Sequence, residues 1–239
     1  MRVHVFTVCW NEELVLPYFF KHYKERFSNV KFTIFDNYST DASRQIIEDN
    51  GGQIVDFGTT EFRDDINMDI KNNCWKNADA DWVVVCDMDE WIECDDAFLE
   101  NTLSTIVKPH GYEMVGFSYN LDKIVRGLRY KKYDKCILFK PGAINEMNYG
   151  AGCHKCNPVG NLVYNTETIP MYHMKFFHPV YLIKRYKILA KRLSQINKDN
   201  MWGFTYTKSI KDILKRYILV RKNSVKIRSI TKSTPSLVH

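Results

Sequence analysis

The chain has 239 residues, 45% hydrophobic and 26% charged, with 14 Tyr, 14 Phe and 5 Trp; this supports one or two globular domains with a real core and excludes a disordered, collagen-like or repeat chain. The net charge of +6 is uneven: residues 1–180 hold 19 Lys/Arg against 26 Asp/Glu (−7), and residues 181–239 hold 15 against 2 (+13). An acidic body with a basic appendage suits an anionic partner.

Residues 2–9 alternate as a first strand. Asn11-Glu12-Glu13 opens a helix with Leu14, Tyr18, Phe19, Tyr23 and Phe27 at three- to four-residue spacing, and Pro17 falls in its tolerant early turns. Residues 30–36 form a second strand. A polar turn over 36–41 follows, with Asp41 as N-cap of a helix over 42–49 that Gly51-Gly52 ends. A third strand over 53–57, a helix over 65–77 and an apolar strand over 82–86 complete a βαβ series, which predicts an α/β fold with a parallel sheet. The pattern then changes: a helix near 96–107, strands over 115–119 and 135–139, and a Gly/Asn/Pro-rich irregular stretch over 140–172. Amphipathic helices follow over 181–196 and after Ser209, which forms a capping box with Asp212. The chain frays from about residue 224.

Met1-Arg2 runs directly into the first strand, so no signal peptide is expected, and no stretch reaches the roughly 18 apolar residues needed to span a bilayer. Seven cysteines, several in apolar strands, predict reduced thiols and a soluble, cytoplasmic protein. Cys153-x-x-Cys156 is the only close pair and lacks a second pair for a zinc site.

The sharpest feature is Asp87-Met88-Asp89-Glu90, directly after the apolar fourth strand. Open α/β sheets bind ligands at the carboxyl ends of their strands. In extended chain, residues i and i+2 share a side, so Asp87 and Asp89 are expected to converge on Mg²⁺ or Mn²⁺ held jointly with substrate phosphates. Asn11, Glu12 and Asp36 leave strands one and two at the same sheet edge, where they can bond a nucleobase or ribose. There is neither a Gly-x-Gly-x-x-Gly nor a Walker lysine loop, which disfavours dinucleotide and P-loop folds.

Trp10-Asn11-Glu12-Glu13, Asp36-Asn37-x-Ser39-Thr40-Asp41 and Asp87-Met88-Asp89-Glu90, in this order at strand ends, resemble glycosyltransferases of the GT-A fold, nearest to family 2-like enzymes using nucleotide-diphosphate sugars. Lys71-Asn72-Asn73-x-Trp75-Lys76 resembles the helix before their metal motif. The resemblance covers about residues 1–180. It implies a Rossmann-like, mainly parallel sheet flanked by helices, with residues 1–95 binding the nucleotide sugar and residues 96–180 the acceptor. Residues 181–228 would be a basic helical appendage packed on this domain, and residues 229–239 a flexible tail. Carried over by residue, the resemblance puts Asn11, Glu12 and Asp36 at base and ribose, Lys71 at ribose or diphosphate, and Asp87 at cation and diphosphate. Asp89 would hold the cation, with His173 favoured over His178 to complete its shell. Glu90 would face donor or acceptor sugar, or support the site.

The implied activity is transfer from a nucleotide-diphosphate sugar, UDP-sugar favoured, to a glycan, glycoprotein or lipid-linked acceptor, with inversion. A divalent ion neutralises the leaving diphosphate and a base deprotonates the acceptor. Asp122, Asp134, Glu146 and His154 are candidates for the base, with Glu146 and His154 favoured because they lie just beyond the strand over 135–139. The family's usual acidic-aromatic base motif is absent. For the basic helices three readings stand: a solvated outer face, contact with an anionic membrane, or closure of Lys/Arg over the diphosphate. A nucleotidyltransferase, a nucleic-acid-binding module (which needs no metal) and a non-catalytic GT-A scaffold are the competing functions; nucleic acid is not the expected partner.

Overall fold

The computed structural model describes residues 1–229. Its first half is the predicted alternation: β1 (Val3–Cys9), α1 (Leu16–Arg26), β2 (Val30–Asp36), α2 (Ser43–Asp49), β3 (Gln53–Asp56), α3 (Asp64–Asn73) and β4 (Trp82–Asp87). β3, β2, β1 and β4 lie side by side, all parallel, with Cys9 level with Asp36 and Val8 level with Asp87. The loops after β1, β2 and β4 therefore open on one edge of the sheet. Buried Leu16, Phe19, Phe20 and Tyr23 seat α1 against the sheet, and Pro17 occupies its first turn, where no N–H partner is lost. Asp41 accepts from the Ser43 N–H at 2.9 Å at the start of α2, and Gly51 (φ +73°) follows its end in the left-handed region.

After β4 the chain turns through Asp87–Glu90 into β5 (Glu90–Ile92) and then α4 (Asp96–Asn101). The expected helix to 107 stops here: the Thr102 hydroxyl binds the Ser104 N–H at 3.1 Å, a local competitor of helical bonding, and the chain enters β6 (Ile106–Val107). β7 (His110–Val115) lies N-terminal to the strand expected over 115–119, and β8 (Arg126–Arg129) pairs with it. Of the strand expected over 135–139, only β9 (Leu138–Phe139) pairs, antiparallel to β4 and β6. The stretch read as irregular holds a short hairpin, β10 (Ile144–Glu146) with β11 (Val159–Gly160), and the start of β12 (Pro170–Phe176). β12 escapes a period-two reading because it is buried on both faces from Met171 to Met174.

A second sheet runs β8–β7–β12–β5, with β12 parallel to β7 and antiparallel to β5. α5 (Pro179–Arg192), α6 (Gln195–Asp199) and α7 (Ile210–Asn223) follow, and Leu182, Tyr186, Ile213, Tyr217 and Val220 pack on Val115 and Phe176 of that sheet. β13 (Val225–Lys226) then pairs with β8, where the sequence suggested fraying. All but the first residue of the expected flexible tail lies outside the described residues. Among the described residues no helix is long and apolar enough to cross a membrane, and all seven cysteines are free.

Candidate functional site

The turn between β4 and β5 joins the two sheets, and register sets the chemistry around it. His173 of β12 stands level with Glu90 of β5 on one side and Glu113 of β7 on the other. The Asp89 carbonyl accepts from the Met174 N–H at 2.6 Å, fixing the turn to the strand. Above this junction lies a cavity of about 210 Å³, lined by the end of β1 (Cys9, Trp10, Glu12), by Asp64 and Lys71 of α3, by the turn, and by Arg185 and Arg192 of α5.

Two ionic clusters form its floor. In the first, Lys71 contacts Asp87, while Lys135 lies 3.4 Å from Asp87 and in direct contact with Glu90. Glu90 is fully buried, and its carboxylate also accepts from the Asp87 N–H at 2.9 Å. Burial opposes the Asp87 charge, but the two lysines outweigh it and hold its carboxyl well below the ordinary range. In the second, the Nδ1 of His173 is 2.6 Å from Glu113 and its Nε2 is 3.4 Å from Asp89, with the ring stacked on Tyr133 at 4.0 Å. Gly111 permits this stacking, because a Cβ there would meet the Tyr133 backbone at 2.4 Å. Burial disfavours the His173 charge, yet Asp89 and Glu113 together raise its pKa.

This geometry revises the expected convergence of Asp87 and Asp89: Asp87 turns to the lysines, and Asp89 turns to His173. In the second cluster, Asp89 and His173 are two donors that could share a divalent ion. With Nδ1–H donated to Glu113, Nε2 offers a lone pair toward Asp89, the carboxylate–histidine arrangement that orients metal ligands. Among the described residues no group of three or more His, Cys, Asp or Glu could hold a metal ion, so an ion there would need diphosphate oxygens and water for its remaining ligands, as is usual for Mg²⁺.

α5 forms the roof. Arg185 contacts Glu12 and donates to the carbonyls of Trp10 and Asn11, each at 3.0 Å, and the Arg192 guanidinium lies 3.5 Å from the Trp10 ring centre. Burial, only partly offset by Arg185, raises Glu12 to about 7. Of the basic side chains of the tail, Arg185 and Arg192 border the cavity, while Lys184, Lys187, Lys191, Lys215, Arg221 and Lys222 are exposed.

Several predicted residues stand elsewhere. Asn11 clasps the loop after β2, accepting from the Thr40 N–H at 2.7 Å; Asp36 is fully buried, bonded to Ser39 and to Arg44 at 2.7 Å. Neither lines the cavity, whereas the neighbouring Asn37 does. Glu90 supports Lys135 and does not face the cavity. Glu146 pairs with Lys76 at 2.6 Å on β10 and does not line the cavity. Asp122 and Asp134 are likewise held by Lys21 and Arg129. His154 does line the cavity; burial, with Lys135 and Lys132, pushes it down to about 3, so it is neutral at pH 7.

Lys135, Glu113, Tyr133 and Asp64 escaped the sequence reading. Lys135 carries the one available signal, a lone cation entering an apolar run. Asp64 is raised to about 6 by burial and by Asp87, and accepts from the Asn197 amide at 2.8 Å. Its folded-state pKa exceeds the unfolded value, so its stabilising contribution is present at pH below 4 and is lost as pH rises through about 6. Stability of Asp64→Asn relative to the unmodified chain should therefore rise between pH 4 and 7, by up to about 3 kcal/mol. Thermal melts across that range measure it; a pH-independent difference would exclude a raised pKa.

The sequence matches the family described as Glycosyl transferase family 2 over residues 4–177. No curated protein matches it. Similar solved structures include S. aureus TarS 1–349 (16% identity, 83% of this chain and 68% of that chain, TM-score 0.45). A second, the crystal structure titled S. aureus TarS, aligns over 91% of this chain and 43% of that chain (14% identity, TM-score 0.46). A third is the mannosyltransferase PcManGT from Pyrobaculum calidifontis in complex with GDP-Man and Mn²⁺ (13% identity, 80% and 62%, TM-score 0.46). The family match spans most of the chain, from β1 to the strand that carries His173: the protein belongs to glycosyl transferase family 2 and is a glycosyltransferase of the GT-A fold.

Proposed function

We propose that the protein moves a sugar from a nucleotide-diphosphate donor, a UDP-sugar by preference, to a hydroxyl acceptor with inversion, using Mn²⁺ or Mg²⁺. The observation that carries this reading is the pair of facing lone-pair donors, Asp89 and His173, backed by Glu113 at the carboxyl edge of the sheet. The UDP preference rests on the resemblance of the three strand-end motifs to family 2-like enzymes. Asp89 and His173 would hold the ion, which when bound neutralises charge on the leaving diphosphate. Lys71 and Lys135 add fixed positive charge beneath that group, and Arg192 and Trp10 cover it. Glu12, buried against Arg185, positions the roof.

In the transfer, the acceptor hydroxyl oxygen bonds to the anomeric carbon as the bond to the diphosphate oxygen breaks. The diphosphate departs with the electron pair, and the hydroxyl proton passes to a base. We assign that base to Asp64, which borders the cavity and whose pKa of about 6 suits proton abstraction near neutrality. His154, at about 3, is too weak a base at pH 7 and instead offers a hydrogen bond to orient the acceptor.

Turnover of UDP-, GDP- and dTDP-sugars with and without Mn²⁺ tests the reading. Hydrolysis or transfer of at least one donor, stimulated by the ion, is expected. Arg192→Ala should raise the donor KM about tenfold with kcat little changed, since it removes a cation that this reading places over the diphosphate, a ground-state contact worth about 1.5 kcal/mol. Release of pyrophosphate from a nucleoside triphosphate, with no sugar-nucleotide turnover, would favour the nucleotidyltransferase alternative.

A further inference from the structure

A second cavity, of about 430 Å³, adjoins the first, and Asp64, Tyr133, His154 and Lys175 line both. Its outer wall is the segment between α6 and α7. Gly203 (φ +66°) turns the chain there, and a Cβ at that position would meet Leu193 at 2.9 Å. The turn presents Trp202, Phe204 and Tyr206 to the cavity, facing Tyr130 and Tyr133. Phe204 is 48% exposed, large for an aromatic ring in a wall with no other visible task.

The charges of this cavity are unbalanced. Lys132, Lys175, Lys208 and Arg216 border it, and among the described residues none has a carboxylate within 4.0 Å. Three of them lie over rings instead: Lys175 at 4.9 Å from Tyr206, Arg216 at 5.1 Å from Tyr130 and Lys208 at 5.7 Å from Phe204. The three bordering carboxylates each have a hydrogen-bond partner of their own. Glu113 holds His173 and accepts from the Tyr133 hydroxyl, Asp64 accepts from Asn197, and Asp212 accepts from the Ser209 hydroxyl at 2.6 Å. Four cations against three carboxylates, around exposed ring faces, leave the cavity with an excess of positive charge and complementary to a sugar ring that carries negative charge. The crowding is felt by Lys132, whose pKa falls through burial and the nearby Lys135 and Lys175.

We propose that this second cavity is the acceptor site and that it selects a saccharide bearing a phosphate or carboxylate group, its ring stacked on the aromatic wall and its charge met by Lys208 and Arg216. The acceptor role rests on the donor reading above, since Asp64 and His154 stand where the two cavities meet. A neutral glycoside would leave the cations unanswered.

Calorimetric titration of the whole chain with glucose 6-phosphate, glucuronate, glucose and inorganic phosphate tests this, with UDP and Mn²⁺ titrated in parallel. Both anionic sugars should bind at least tenfold more tightly than glucose, and the stronger of the two identifies the charged group. The Lys208→Ala/Arg216→Ala double variant should erase that advantage while UDP binding stays within twofold. Trp202→Ala should weaken both sugars. All three side chains are exposed or half-buried, so the fold should tolerate their loss. Saturating UDP should not displace the probes. Glucose binding as tightly as its charged analogues, or a double variant with unchanged affinity, would overturn the charge selection. Inorganic phosphate binding as tightly as glucose 6-phosphate would remove the saccharide. Displacement by UDP would return the probes to the donor cavity. If UDP itself fails to bind, the donor reading falls and the acceptor label falls with it, whereas intact UDP binding with no probe binding overturns this inference alone.

Discussion

Asp89→Ala and His173→Ala are each expected to lower sugar transfer by about 100-fold or more and to abolish its stimulation by Mn²⁺, because each removes one of the two side chains assigned to the ion. Glu113→Gln separates this arrangement from a purely structural role. It leaves volume and one hydrogen-bonding group in place but takes away the charge behind Nδ1, so Mn²⁺ affinity should fall by about 10- to 100-fold while the fold is retained. Titration of Mn²⁺, followed by paramagnetic resonance and by rate, reads the two effects separately. Asp89→Ala with full Mn²⁺-stimulated activity would end the metal assignment. A further check is pH. His173 is raised above its ordinary pKa by its two carboxylate neighbours, so protons and the ion compete for Nε2, and apparent Mn²⁺ affinity should drop on acidification.

The residues legible in the sequence are those whose role follows from one strand and the loop after it. The parallel register of β1, β2 and β4 sets Cys9, Asp36 and Asp87 at one edge, as alternating βαβ units require, and Asp89 follows from its position after an apolar strand. His173 was reached through the family resemblance alone, since nothing in Met171–Met174 shows periodicity. What stayed hidden depends on register between distant strands. Glu113 sits 60 residues from His173 in sequence, and only the parallel pairing of β7 with β12 makes them neighbours. Glu146 shows the converse: it follows a strand, and the hairpin of β10 and β11 sets it against Lys76. Asn11 and Asp36 lie in the right loops, yet their polar atoms are taken by Thr40, Ser39 and Arg44. Sequence spacing identifies the loop; hydrogen bonding decides which of its side chains remains available to a ligand.

Lys135→Ala should be the most damaging single change to stability, at about 3–5 kcal/mol, the usual cost of stripping one partner from a buried ion pair. Lys135 is 2% exposed and its partner Glu90 is 0% exposed, so truncation leaves a carboxylate with no water to solvate it. For a chain of this size that corresponds to a fall in Tm of about 6–20 °C. Pairing Lys135→Met with Glu90→Gln should recover most of the loss, because the second change removes the stranded charge. Chemical denaturation of Lys135→Met, Glu90→Gln and the double variant forms the cycle, and additive effects would show that the two side chains are not coupled. Activity should not follow stability. The Glu90 carboxylate also accepts from the Asp87 N–H, which fixes the start of the turn that aims Asp89, and Lys135 shares Asp87 with Lys71. The double variant should therefore fold well and still transfer sugar slowly, with its loss in kcat at saturating donor. Recovery of both stability and full kcat would mean that the buried charges hold the fold together without aiming Asp89.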